Sequence, residues 1–381
     1  MTKKTDTVVH LINTLEDKLT KVHTQSLDLS FNELLDMKMS GELNISPEFQ
    51  RLFRWTEGAR SRFIESLLLE MPVPPIYVIE ENDGSYMLID GLQRISSYLH
   101  LRGELEAKHL KPPVQIGEKL ILSDCDIVPE LNGNTWDDLG TALQIKLKRA
   151  FVRVEVVRKG SDPKFKYHMF KRLNTGGELL SEQQVRNCTI RLLDPEFNNF
   201  IIKLSNYSEF SSCVTQIITY EQILKAFDQE LVLRFFAFKN ALNNFKHDVA
   251  DYLTEYMESV SDPENPAQFD YIYEEAVFKK TFTIFEKTLG DKSFGNVNKN
   301  STAINRAFGV YHYEALTIGI QPFLSSIDIN DSKQIEKLKD IFNKIKTDTK
   351  FVNMVTGGGK NSSGQLKSRV SFVKDVIQDS L

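Results

Sequence analysis

The sequence predicts an α/β (α+β) N-terminal domain, residues 1–205, followed by an all-α C-terminal domain, residues 206–381. Three observations carry this. Residues 86–103 read as an apolar strand, an Asp90-Gly91 turn and a helix with Leu92, Ile95, Tyr98 and Leu99 on one face. Phe151–Val157 alternates β-branched with polar residues, as a half-buried strand does. Beyond about residue 206 strand signals fade, and stretches of helical period follow, several rich in Phe.

Taken in order, the first 25 residues read as a partly helical lead-in. Ser30-Phe31-Asn32-Glu33 is a capping-box pattern that opens a short helix to about Met39. The dense aromatic and arginine segment Pro47–Trp55 precedes a helix of roughly Glu57–Glu70. The run Met71-Pro72-Val73-Pro74-Pro75 ends that helix, since proline offers no N–H to the helical ladder. Ile76–Glu80 and Tyr86–Ile89 flank Asn82-Asp83-Gly84-Ser85 and read as a β-hairpin. A helix over Leu92–Arg102 follows, then an irregular stretch over 104–135 and a helix from about Trp136 to Ala150. After the strand Phe151–Val157, a helix from about Asp162 to Leu173 leads into Asn174-Thr175-Gly176-Gly177. Ser181 caps the next helix, which runs to near Ile190. The second half is read as helices over Glu221–Leu242, Asp248–Val260, Ala267–Leu289, Ala303–Ile318 and Lys333–Ile345.

Composition narrows the function. At 381 residues the chain holds two or three domains, and 41% hydrophobic with 26% charged residues is ordinary for a globular protein. A net charge of −5 gives no whole-chain attraction to nucleic acid, leaving only local basic patches. Three widely spaced cysteines, Cys125, Cys188 and Cys213, provide neither a zinc ribbon nor a disulfide framework and fit a reducing, cytoplasmic setting. No window approaches the roughly 20 apolar residues that cross a bilayer, so no membrane partner is expected.

Three segments carry chemistry. In the Asp90–Arg94 turn, Gln93 and Arg94 fall in the first helical turn, beside backbone N–H groups that lack intrahelical partners. That is where a helix receives an anion such as phosphate. Gly91 allows close backbone approach, Arg94 offers a planar multi-donor fork, and Asp90 suits a metal ion or a positioned water. In Phe49–Trp55, Arg51 and Arg54 bring permanent charge, and Phe53 or Trp55 can stack on a base or a guanidinium. In Phe170–Ser181, the turn Asn174-Thr175-Gly176-Gly177 can present backbone N–H groups to a ligand. Plainer readings stand beside each: a generic strand–turn–helix junction with a solvated arginine, an aromatic core with Arg51 and Arg54 paired to Glu48 and Glu57, and a two-glycine C-cap.

Together these segments resemble a known family. Phe49-Gln50-Arg51, Phe63–Leu69 with Pro72–Ile76, Ile89-Asp90-Gly91-Leu92-Gln93-Arg94 and Arg172–Gly177 occur in order over about residues 25–200. The pattern is similar to the N-terminal domain of GmrSD-type type IV restriction proteins, whose Asp-Gly-Gln-Gln-Arg motif and ParB/sulfiredoxin-like fold it implies here. The resemblance also implies nucleotide binding and nucleoside-triphosphate hydrolysis in defence against phage DNA. On this chain Asp90, Gln93 and Arg94 become the catalytic residues. Arg51, Gly91, Gln93, Arg94, Asn174, Thr175 and Gly176 become the phosphate site, and Mg²⁺ would be held by Asp90. Arg94 would clamp phosphates, Gln93 would orient phosphate or water, and Asp90 would hold Mg²⁺ or act as a base.

Two departures qualify the implied activity. Leu92 stands where the family motif has its first Gln; its place in the apolar stripe of the helix favours a core role. An HNH-type nuclease needs clustered His and Asn around a metal, whereas His10, His23, His100, His109, His168, His247 and His312 are scattered. Cleavage of DNA would then require a separate nuclease or effector partner. The run Thr356-Gly357-Gly358-Gly359-Lys360 is set aside as a Walker A loop, because Met354 and Asn361 occupy positions that would be Gly and Ser or Thr. It reads as a loop whose neighbours Lys350, Lys360, Lys367 and Arg369 could still touch a phosphate backbone. The expected function is an NTP-binding and NTP-hydrolysing component of a prokaryotic restriction-type system. The alternative is a non-catalytic nucleotide-sensing or DNA-binding module; self-association is left open.

Overall fold

The computed structural model describes residues 11–12, 16, 23–45, 53–174, 181–246, 248–297 and 304–380. The chain divides into two compact units, Met1–Leu180 and Ser181–Leu381. Helices over 182–205, grouped with the first half on sequence grounds, thus fall within the second unit.

The first unit is built on a five-stranded mixed sheet. Its strands are β1 (Thr24–Ser30), β2 (Leu43–Asn44), β3 (Ile76–Glu80), β4 (Tyr86–Asp90) and β5 (Phe151–Val157), ordered β1-β5-β3-β4-β2. β3 and β4 form the expected antiparallel hairpin, with a register irregularity at Tyr77/Val78. β5 runs parallel to β3 and antiparallel to β1. The alternation read in β5 holds: Val152, Val154 and Val156 are buried, while Phe151 and Arg153 are exposed. Most of the partly helical lead-in expected over the first 25 residues lies outside the described residues; residues 11, 12 and 16 are helical, and only its end, Thr24 and Gln25, departs from the expectation by opening β1. Leu27 and Leu29 alternate with Ser26, Asp28 and Ser30, a two-residue period that pairs strand to strand.

Helix α1 (Phe31–Ser40) starts where expected, with Ser30 Oγ accepting from the Glu33 N–H at 3.0 Å. Thr56 caps α2 (Glu57–Leu68) in the same way. Helix α3 (Leu92–Arg102) leaves β4 through Gly91. Phe31, Phe63 and Tyr98 bind these three helices together, with ring centroids 5.5–5.6 Å apart. The Phe31–Phe63 pair is edge-to-face and the Phe31–Tyr98 pair tilted, and aromatic contacts of this kind add to what burial alone contributes. The irregular stretch after α3 is ordered by buried polar groups: Glu65 Oε1 accepts from the N–H groups of Ile127 and Val128, and Ser61 Oγ accepts from that of Ser123. Helices α4 (Gly140–Arg149) and α5 (Pro163–Asn174) complete the unit.

The second unit is helical. Its longer helices are α6 (Glu182–Thr189), α7 (Pro195–Ser205), α8 (Phe227–Ala241), α9 (Val249–Val260), α10 (Tyr271–Thr288), α11 (Val310–Gly319), α12 (Ser332–Thr347), α13 (Thr349–Val355) and α14 (Ser363–Ser380). The Phe-rich stretches form its core: Phe235, Phe236, Phe278 and Phe282 are all 0% exposed and mutually packed. One expectation is corrected. Residues 304–308, read as the start of a helix, form β7, which pairs with β6 (Gly295–Val297), so the unit is not wholly helical. Ala303, Ala307 and Val310 fit a helical stripe in isolation. What selects the strand is backbone approach: a Cβ on Gly295 would meet the Asn305 carbonyl oxygen at 1.7 Å. A chain of charges also threads this unit. Glu230 pairs with Arg186 and Arg234, and Glu314 bridges Arg234 and Arg369 at 2.7 and 3.1 Å.

Candidate functional site

The Asp90–Arg94 turn forms as the sequence requires. Gly91 takes φ +109° at the N-terminus of α3, a conformation that disfavours any L side chain. Space makes the same demand, because a Cβ there would lie 2.7 Å from Ile76 Cγ1. No side chain caps α3. Leu92 is 4% exposed, so the departure from the family motif falls in the core.

Asp90 and Arg94 face one another across the turn. Arg94 Nη2 donates to Asp90 Oδ2 at 2.7 Å and to the Pro75 carbonyl at 3.0 Å. The Arg94 side chain is 15% exposed and that of Asp90 37%, which places the carboxylate nearer solvent. Arg94 Nε is buried with no hydrogen-bond partner. The guanidinium therefore retains one unsatisfied donor in a site where unsatisfied donors are costly.

Gln93 does something the sequence did not announce. Its Oε1 accepts from both the Arg54 and the Trp55 N–H, each at 3.1 Å. The second chemistry-bearing segment is thereby brought against the first turn of α3. The same short stretch is held twice more. Arg60 Nε donates to the Trp55 carbonyl at 2.8 Å, and His109 Nε2 lies 2.9 Å from the Phe53 carbonyl. Arg60 stacks over the Phe53 ring, 4.8 Å from its centroid, and its Nη1 lies 3.0 Å from His100 Nδ1. Burial, and then the neighbouring Arg60 charge, push His100 down to about 4. The imidazole is thus neutral at physiological pH, with Nδ1 as acceptor and the proton on Nε2. Phe53 is 0% exposed, so the aromatic-core reading is right for this residue; Trp55 is half-buried and packs edge-on against Phe63.

The third segment also approaches. α5, the helix that ends at Asn174, packs against β4, the strand that carries Asp90. Arg51, Thr175 and Gly176 lie outside the described residues, as does the side chain of Asn174. Among the described residues, no group of three or more His, Cys, Asp or Glu side chains could hold a metal ion. A cleft of about 850 Å³ opens among Asp28, Met71, Ile145, Lys146, Arg149 and Phe151, and no residue of the Asp90 turn lines it. The loop around Gly357–Lys360 is tied to its surroundings: Arg369 Nη1 donates to the Lys360 carbonyl at 2.7 Å.

A strand, a left-handed glycine and an uncapped helix carrying arginine in its first turn thus meet at one junction of a mixed α/β domain. Residues 31–191 match the model of the GmrSD restriction endonuclease, N-terminal domain. The match lies within the 25–200 span of the motifs that suggested it. No curated protein and no solved structure matches the chain. Among the described residues, no helix is long and apolar enough to cross a membrane.

Proposed function

We propose that this chain is the nucleotide-binding component of a restriction-type defence system, taking the phosphates of a nucleoside triphosphate at the Asp90–Arg94 turn. The observation that carries the reading is the junction itself: Gly91 at φ +109° opens an uncapped α3, with the Arg94 guanidinium and the Asp90 carboxylate 2.7 Å apart at its mouth. Phosphate oxygens would take the place of Asp90 on Arg94 and satisfy its unpartnered Nε. The released carboxylate would turn to solvent. Mg²⁺ needs only one or two carboxylates when phosphate oxygens and water complete its shell, so Asp90 suffices as the protein ligand and no larger cluster is needed. Bound there, Mg²⁺ would neutralise developing phosphate charge. The ParB/sulfiredoxin-like fold and the roles of Asn174, Thr175, Gly176 and Arg51 belong to the same proposal.

One observation favours a second reading, binding without turnover. Gln93 Oε1 is engaged by two backbone amides and Asp90 Oδ2 by Arg94, which ties up one oxygen of each residue that could otherwise serve an attacking water. Titration with fluorescent ATP and GTP analogues, alongside phosphate release with and without DNA, tests both. Arg94→Ala should weaken binding at least tenfold, the order expected for removing a charge-assisted contact of about 1.5–3 kcal/mol. Equal affinity in wild type and Arg94→Ala would remove the site from consideration. Saturable binding with no phosphate release, at any DNA concentration, would leave the second reading standing.

A further inference from the structure

The backbone of residues 53–55 is gripped by three side chains from separate parts of the fold. Gln93, from the first turn of α3, takes the N–H groups of Arg54 and Trp55. Arg60, from α2, donates to the Trp55 carbonyl. His109, from the loop after α3, bonds the Phe53 carbonyl. These residues belong to no helix or strand, so their amides and carbonyls have no ladder partners, and buried polar groups left unpaired are strongly disfavoured. Each contact alone is an ordinary hydrogen bond. Their convergence on three consecutive residues fixes where the Arg54 backbone stands relative to the Asp90 turn. Gln93 is the member that belongs to both, since it immediately precedes Arg94 and reaches across to Arg54.

We propose that Gln93 is a positioning residue: its side-chain oxygen holds Arg54 beside the Asp90–Arg94 turn, so that the phosphate site is assembled only while this junction is closed. The assignment rests on the nucleotide-binding reading above and revises one part of it, the contact between Gln93 and phosphate or water. The chemistry separates the two roles. An oxygen that accepts from two backbone amides is replaced well by a carboxylate, which accepts more strongly. An amide that touches phosphate is replaced badly, because a carboxylate repels the ligand.

The test uses the full chain with Gln93→Glu and Gln93→Leu, and two readouts. Limited trypsin digestion reports cleavage of the Arg54–Trp55 bond without any nucleotide. Titration with a fluorescent ATP analogue in Mg²⁺ reports the site. Gln93→Leu should speed cleavage at Arg54 about tenfold and weaken nucleotide binding by about the same factor, as two lost acceptor contacts imply. Gln93→Glu should return both readouts to within about threefold of wild type. Loss of nucleotide binding in Gln93→Glu with a wild-type tryptic pattern would overturn the proposal and make Gln93 a ligand contact. Unchanged cleavage at Arg54 in Gln93→Leu would overturn it independently of any nucleotide. Absence of nucleotide binding by the wild-type chain would instead refute the functional reading, while the tryptic comparison would still report on the junction.

Discussion

Gly91→Ala separates two physical demands at one residue. The first is backbone strain, because φ is +109° and an L residue is disfavoured there. Such strain is of order 1–3 kcal/mol. The second is collision, because the new Cβ would stand 2.7 Å from Ile76 Cγ1 and 3.2–3.3 Å from Ile76 Cγ2 and Cβ. Overpacking of a filled site costs roughly 1–3 kcal/mol, and Ile76 is 0% exposed on β3, with little room to withdraw. The two together come to about 2–6 kcal/mol. A double-mutant cycle with Ile76→Ala, followed by urea and thermal unfolding, apportions them. Ile76→Ala alone should cost about 2–5 kcal/mol through its cavity. In that background Gly91→Ala should lose only the strain part, giving a favourable coupling of about 1–3 kcal/mol. Strictly additive effects would mean that Ile76 does not crowd Gly91. A cost below about 0.5 kcal/mol in both backgrounds would refute the strain as well.

Three further outcomes follow from the same geometry. Leu92→Gln restores the family's residue but buries an amide without a designed partner, so it should destabilise the fold by about 1–3 kcal/mol; phosphate release above wild type would show that Leu92 suppresses turnover. His100 is held at about 4 against an ordinary 6.5, so the unfolded chain binds its proton first, and stability present above pH 6.5 is lost as pH falls from 6.5 towards 4. The loss amounts to about 3 kcal/mol at most; His100→Gln, which keeps an acceptor for Arg60, should flatten the urea midpoint across that window. Glu314→Gln leaves the buried Arg234 and Arg369 guanidiniums without their shared carboxylate and should destabilise the second unit by about 3–5 kcal/mol in thermal unfolding.

The sequence by itself determined the local features that short-range physics governs. The β3–β4 hairpin follows from its turn residues, β5 from alternation, and α1 and α6 from Ser30 and Ser181 as caps. The Asp90-Gly91 junction was legible for the same reason: a glycine between an apolar strand and an amphipathic helix leaves few conformations open. The resemblance to the domain whose model matches residues 31–191 was legible because four weak motifs occur in one order. Tertiary structure decided what depends on residues distant in sequence. β1 exists as a strand because β5, more than 120 residues away, supplies its partner. β7 is a strand because Gly295 lets β6 come close, although its own residues also fit a helical period. The site shows the same division. Arg94 and Asp90 were named from their spacing alone, whereas the engagement of Gln93 with Arg54 and Trp55 spans 39 and 38 residues and has no local signature. Sequence fixes which groups a turn can offer; only the packed chain fixes which of those groups are already taken.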